Sequence, residues 1–125
     1  MTDAKDLAST ERALAAQLLD IHQQSYGKGA GSSRVHILDD LVICMLDELE
    51  LMPNEQFLAD AGHSDSVIEV RSRYQQAIQP SFSAVVERAT GRRVISFVSA
   101  TKLDPHYSLE IFRLAPRDDR RPAEP

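Results

Sequence analysis

The spacing of apolar residues switches between a helical and an extended period along the chain, and each switch predicts an element. Leu7, Leu14, Leu18 and Ile21 recur at helical spacing, with Ala15 and Leu19 widening the stripe, so a helix is expected from about Leu7 to Tyr26. Thr10 ahead of Glu11 suits its first turn, and Gly27 stands where a helix-ending glycine belongs. From Arg34 the period shortens. Val35 and Ile37 alternate with His36 and Leu38, and β-branched residues lie on both sides of Asp39-Asp40. This reads as a hairpin turning at the two aspartates, with a second strand from about Leu41 to Asp47. That second strand is apolar on both faces, which predicts a central place in a sheet.

Further on, Pro53 fits the first turn of a short helix that has Phe57 and Leu58 as its apolar side and Gly62 as its end. Ser64 or Asp65 then starts a long helix in which Val67, Val70, Tyr74, Ile78, Phe82, Val85 and Ala89 keep one face as far as Gly91. Pro80 lies inside it. A proline there removes a backbone hydrogen bond and crowds the preceding turn, at a cost of about 3 kcal/mol, so a kink is expected. Two final strands, about Arg93–Leu103 and Tyr107–Ala115, turn at Asp104-Pro105. In the last of them Tyr107, Leu109 and Ile111 alternate with Ser108 and Glu110. The order α-β-β-α-α-β-β predicts an α+β fold, an antiparallel four-stranded sheet with helices packed on one face. One domain is expected over residues 6–115, between a flexible N-terminus (1–5) and a charged, proline-rich, disordered tail (116–125).

Composition narrows the function classes more than it names one. A chain of 125 residues has room for one modest core, and 42% hydrophobic with 26% charged residues is ordinary for a globular domain. The net charge of −5, without a basic cluster, argues against a nucleic-acid partner, whose phosphates demand clustered Lys and Arg. Cys44, the single cysteine, sits in the apolar run "LVICML" and reads as a buried small hydrophobe. No signal-peptide pattern opens the sequence, and the longest apolar run, Leu41–Leu46, is far short of the ~20 residues of a spanning helix. A cytoplasmic protein without direct membrane insertion is expected.

The chemistry-bearing candidates are few. "SYGKGAGSSR" (25–34) places three glycines around Lys28. A phosphate-cradling loop runs from a strand into a helix N-terminus, where free N–H groups and the positive dipole end meet the anion. Here a helix ends and a strand begins, so the loop reads as a structural hinge, with a binding loop as the alternative. His22, His36, His63 and His106 contain no pair at metal-ligating helical spacing, and they read as surface or capping residues. Asp39-Asp40 with Asp47, Glu48 and Glu50 form an acidic edge, which reads as solvated turn chemistry. No serine lies in a GxSxG elbow. No catalytic set, cofactor or metal site is expected from these residues.

Three stretches, "YGKGAGSSRVHILDDLVICML", "EQFLADAGHSDSVIEVRSRYQQAI" and "ATGRRVISFVSATKLDPHYSLEIFRL", resemble the MpsC-like family over roughly Leu7 to Leu114. The most specific marks are Tyr26-Gly27-Lys28-Gly29, the Asp39-Asp40 turn, Gly62, and Thr90-Gly91-Arg92 leading to Asp104-Pro105. Two positions depart from the pattern: Ala30, where the family often carries proline, and Pro80 within the long helix. The resemblance implies a small soluble protein associated with a transport system linked to sodium, membrane potential or bicarbonate uptake. It supplies no catalytic residues to carry over. The leading expectation is therefore a non-enzymatic accessory or regulatory domain that acts by protein–protein contact, as a homodimer and with a membrane transport-system partner. The alternative is a sensor, or an enzyme, that binds a small anion or other ligand through Tyr26, Gly27, Lys28, Gly29 and Arg34, with Asp39, Asp40 and Asp104.

Overall fold

A computed structural model describes residues 4–117. The expected order of elements is present: α1 (Ala4–Tyr26), β1 (Ser32–Leu38), β2 (Leu41–Asp47), α2 (Pro53–Asp60), α3 (Ser64–Thr90), β3 (Val94–Leu103) and β4 (His106–Leu114). Helix α1 begins earlier than its apolar stripe, so Ala4 and Lys5, assigned to a flexible N-terminus, are already helical. Most of the tail expected at 116–125 lies outside the described residues.

The strands form one antiparallel sheet in the order β1-β2-β4-β3. The strand with two apolar faces, β2, is central as expected, and β4 lies beside it. Alternation along the strands divides the sheet into two faces. Val35, Val42, Cys44, Leu46, Phe112 and Leu114 point to a core shared with Leu14 and Leu18 of α1 and with Phe82, Val85 and Val86 of α3. Both long helices therefore cover the same face. The Asp39-Asp40 turn places Asp39 at a φ of 52°, the left-handed region that aspartate tolerates better than most residues.

Arg92 closes this end of the molecule. It is buried, donates to the backbone carbonyls of Asp39 (2.9 Å) and Ala115 (2.6 Å), and pairs with the Asp40 carboxylate. The basic run at 92–93 thus contributes a clasp that holds the first hairpin to the end of the sheet. At the edges of the sheet, Glu11 accepts from the Ile37 N–H and Glu87 from the Val94 N–H, both at 2.8 Å, which blunts groups otherwise open to strand addition.

Two expectations about the helices need correction. Helix α2 buries none of its residues, and Phe57, on its expected apolar side, is 72% exposed. In α3 the expected face holds at Val67, Phe82 and Val85, but Val70 and Tyr74 are about half exposed. Arg71 and Gln75 take the inward positions between them. The helix itself runs unbroken through Pro80.

Candidate functional site

The inward turn of Arg71 and Gln75 builds the most polar part of the interior. One turn apart on α3, the two side chains share a face. On α1, His22 and Tyr26 are likewise one turn apart, and their rings lie 4.5 Å centroid to centroid. The Arg71 guanidinium sits 4.4 Å over the Tyr26 ring, and the Tyr74 ring stacks with Tyr26 at 5.2 Å. Tyr26 is thus the hub of the cluster. From the sheet side, Glu110 of β4 points inward beside Cys44, and its charge acts on the Tyr26 hydroxyl. His22, Arg71, Gln75 and Glu110 are each at most 1% exposed.

Arg71 is held on two of its three nitrogens. Nε and Nη2 donate to the Glu55 carboxylate at 2.9 and 2.8 Å, a bidentate pair that ties α2 to α3. Burial pushes the Glu55 carboxyl up, but the Arg71 hydrogen bonds outweigh it and hold Glu55 below the usual carboxylate range. His22 accepts a hydrogen bond at Nδ1 from the Ala30 N–H, 3.2 Å away, so Nε2 carries the ring proton. Burial, reinforced by the nearby Arg71 charge, lowers the His22 pKa to about 4 and keeps the ring neutral. Burial raises the Glu110 pKa to about 7, against the opposing hydrogen bonds from Ser108 and Ser99. Ser108 donates to Glu110 Oε2.

Five atoms of this cluster find no hydrogen-bond partner among the described residues: His22 Nε2, Arg71 Nη1, both amide atoms of Gln75, and Glu110 Oε1. Buried polar groups are ordinarily satisfied, and each one left alone costs about 1–3 kcal/mol. Tyr26 and Arg71 also line a surface cleft of about 270 Å³, together with Met52, Glu55 and Tyr74, so the cluster adjoins an opening between α1, α2 and α3.

The residues singled out from the sequence are placed differently. Gly27 ends α1 at a φ of 84°, as a helix-stop glycine does. Gly29 presses against His22, and a Cβ there would stand 2.6 Å from Nδ1. Lys28 pairs with Glu50 at 2.9 Å and Arg34 with Asp47 at 3.1 Å, both at the surface. The loop from Tyr26 to Arg34 folds against the chain leaving β2, with Gly31 N–H donating to the Asp47 carbonyl at 2.9 Å. The turn carrying Asp104 is at this same end of the sheet, because Tyr107 is paired with Asp47. Asp39 and Asp40 are at the other end of the seven-residue strands, about 20 Å away, and do not join the loop. Of the eight residues expected to bind a ligand, only Tyr26 belongs to the buried cluster. His22, read as a surface or capping residue, is fully buried.

A second feature faces away from the helices. The other side of the sheet carries Leu41, Ile43 and Met45 on β2, Tyr107, Leu109 and Ile111 on β4, and Val98 and Ala100 on β3. Polar residues surround this apolar block: Arg34 and His36 on β1, Ser96 and Lys102 on β3, and Arg113 on β4. At its margins Leu38 and Val98 are each 57% exposed. Among the described residues no helix is long and apolar enough to cross a membrane.

No curated protein and no solved structure matches the chain. Residues 7–116, nearly all of the described chain, match the family model described as Na+-translocating membrane potential-generating system (MpsC), and the chain belongs to that family.

Proposed function

We propose that the chain is a cytoplasmic accessory or regulatory domain of a Na+-translocating, membrane-potential-generating system, acting by protein–protein contact and paired with a second copy through the open face of its sheet. The observation that carries this reading is the apolar centre and polar rim of that face, the anatomy of a protein interface. Its size supports a second copy as the occupant. Seven residues at about 3.3 Å and four strands about 4.8 Å apart give a planar footprint of about 450 Å². Two such faces give about 900 Å² before side-chain relief is counted, close to the ~1,000 Å² at which specific interfaces begin. An isologous pair would form a four-layer sandwich with both sheets inside and both helical layers outside.

That arrangement leaves outward the second apolar group, Met52, Phe57 and Leu58 with Val70 and Tyr74, on α2 and α3. It offers a surface to a subunit of the transport system. The reading of the Tyr26–Arg34 loop as an anion site is weaker, because Lys28 and Arg34 are each already paired with a carboxylate.

Co-purification from solubilised membranes tests the accessory role. The tagged wild-type chain should retain subunits of the sodium-translocating system, and Phe57→Asp should release them while leaving the fold intact, since α2 buries none of its residues. A wild-type chain that retains none of them, or a Phe57→Asp chain that retains as much as wild type, overturns the reading.

A further inference from the structure

We propose that the buried cluster of His22, Arg71, Gln75 and Glu110 is a binding site for a small hydroxycarboxylate, entered through the cleft between α1, α2 and α3. Four polar side chains, each at most 1% exposed, leave five atoms unpartnered: His22 and Arg71 lie against the Tyr26 ring, Gln75 stands one turn from Arg71 on α3, and Glu110 acts on the Tyr26 hydroxyl from the sheet. Isolated orphans occur in many proteins, but five in one cluster beside a surface cleft point to a ligand that completes them.

The identity of the atoms sets the class of ligand. Arg71 Nη1, the proton-bearing His22 Nε2 and Gln75 Nε2 are donors. Three donors, one on a guanidinium, suit the two oxygens of a carboxylate. Gln75 Oε1 is an acceptor, and Glu110 Oε1 is one when its carboxyl is ionised; each then requires a donor on the same ligand. A hydroxyl next to the carboxylate supplies it. Charge limits the ligand as well. Arg71 is already paired with Glu55, so a single carboxylate leaves one net negative charge in the cluster and a dianion would leave two, which limits the ligand to one carboxylate. The site is separate from the surface loop of Lys28 and Arg34. Gly29 and Ala30 of that loop still take part, because they pack on His22 and fix its tautomer.

Titration calorimetry on the full chain tests this, with glycolate as the probe and acetate and glycine as comparisons. Gln75→Leu is the decisive variant. It removes two orphaned atoms and keeps the volume, so its melting temperature should equal or exceed that of wild type. Saturable glycolate binding, weakened about tenfold by Gln75→Leu and about tenfold weaker for acetate, is the expected result. No glycolate heat at millimolar concentrations overturns the proposal and leaves the cluster to ordinary water. Equal binding to Gln75→Leu overturns it too, and so does a preference for acetate or glycine.

Discussion

Replacing Glu110 by Gln should change how stability depends on pH, and both direction and size follow from where Glu110 lies. Its carboxyl is fully buried in the sheet's inner face. The groups around it are Tyr26 on α1, Cys44 on β2, Ser99 on β3, and Ser108 on its own strand. Burial raises its pKa from 4.5 to about 7. A pKa raised in the folded state means the native protein holds a proton that the unfolded chain gives up. The favourable contribution is therefore complete below pH 4.5 and is lost as pH rises towards about 7. A shift of this size corresponds to about 3 kcal/mol. Glutamine keeps the shape and an acceptor for Ser108 but does not titrate. Urea unfolding of both proteins across this range gives the difference directly. Wild type should lose about 3 kcal/mol relative to Glu110→Gln between the two pKa values and stay level above them. A difference constant to within about 0.5 kcal/mol would refute the reasoning.

Other perturbations read the same interior. His22 has the opposite sign: its pKa falls from 6.5 to about 4, so native stability is lost as pH drops through that interval, and Glu110→Gln should expose this slope in urea unfolding. Gly29→Ala should cost about 2 kcal/mol or more, because the new Cβ meets His22 at 2.6 Å and the φ is +65°, while Gly27→Ala meets open space and should cost only about 1 kcal/mol; thermal melts separate the two. Cys44, its thiol pushed up to about 12 by burial, should resist a thiol reagent in the native protein and react at the rate of unfolding.

Period and punctuation made most of the fold readable. Gly27, Asp39-Asp40, Gly62, Gly91 and Asp104-Pro105 each end or turn an element where expected, and the doubly apolar β2 lies inside the sheet. The misreadings share one physical cause. Val70 and Tyr74 fit an apolar stripe as well as Arg71 and Gln75 fit a polar one, and hydropathy cannot see partners distant in sequence. Arg71 is inward because Glu55 on α2 and the ring of Tyr26 on α1 receive it. His22 is inward because the glycine-rich loop folds back and donates to it. The notable property of "YGKGAG" is thus close packing on a histidine, which a motif search for anion loops does not address. Phe57 marks the apolar side of α2, and its exposure becomes evident only once α2 is seen to rest on α3 through an ion pair.

The account depends most on the open sheet face, and sedimentation equilibrium on the wild-type chain and on Ile111→Glu tests it most directly. Ile111 stands at the centre of that face, paired with Ile43 and Val98 and directed away from the core. The wild type should have twice the 13.9 kDa chain mass in the micromolar range, and Ile111→Glu should have the single-chain mass with an unchanged circular dichroism spectrum. A wild-type protein that stays at 13.9 kDa throughout, or an Ile111→Glu protein that keeps the doubled mass, would contradict the pairing.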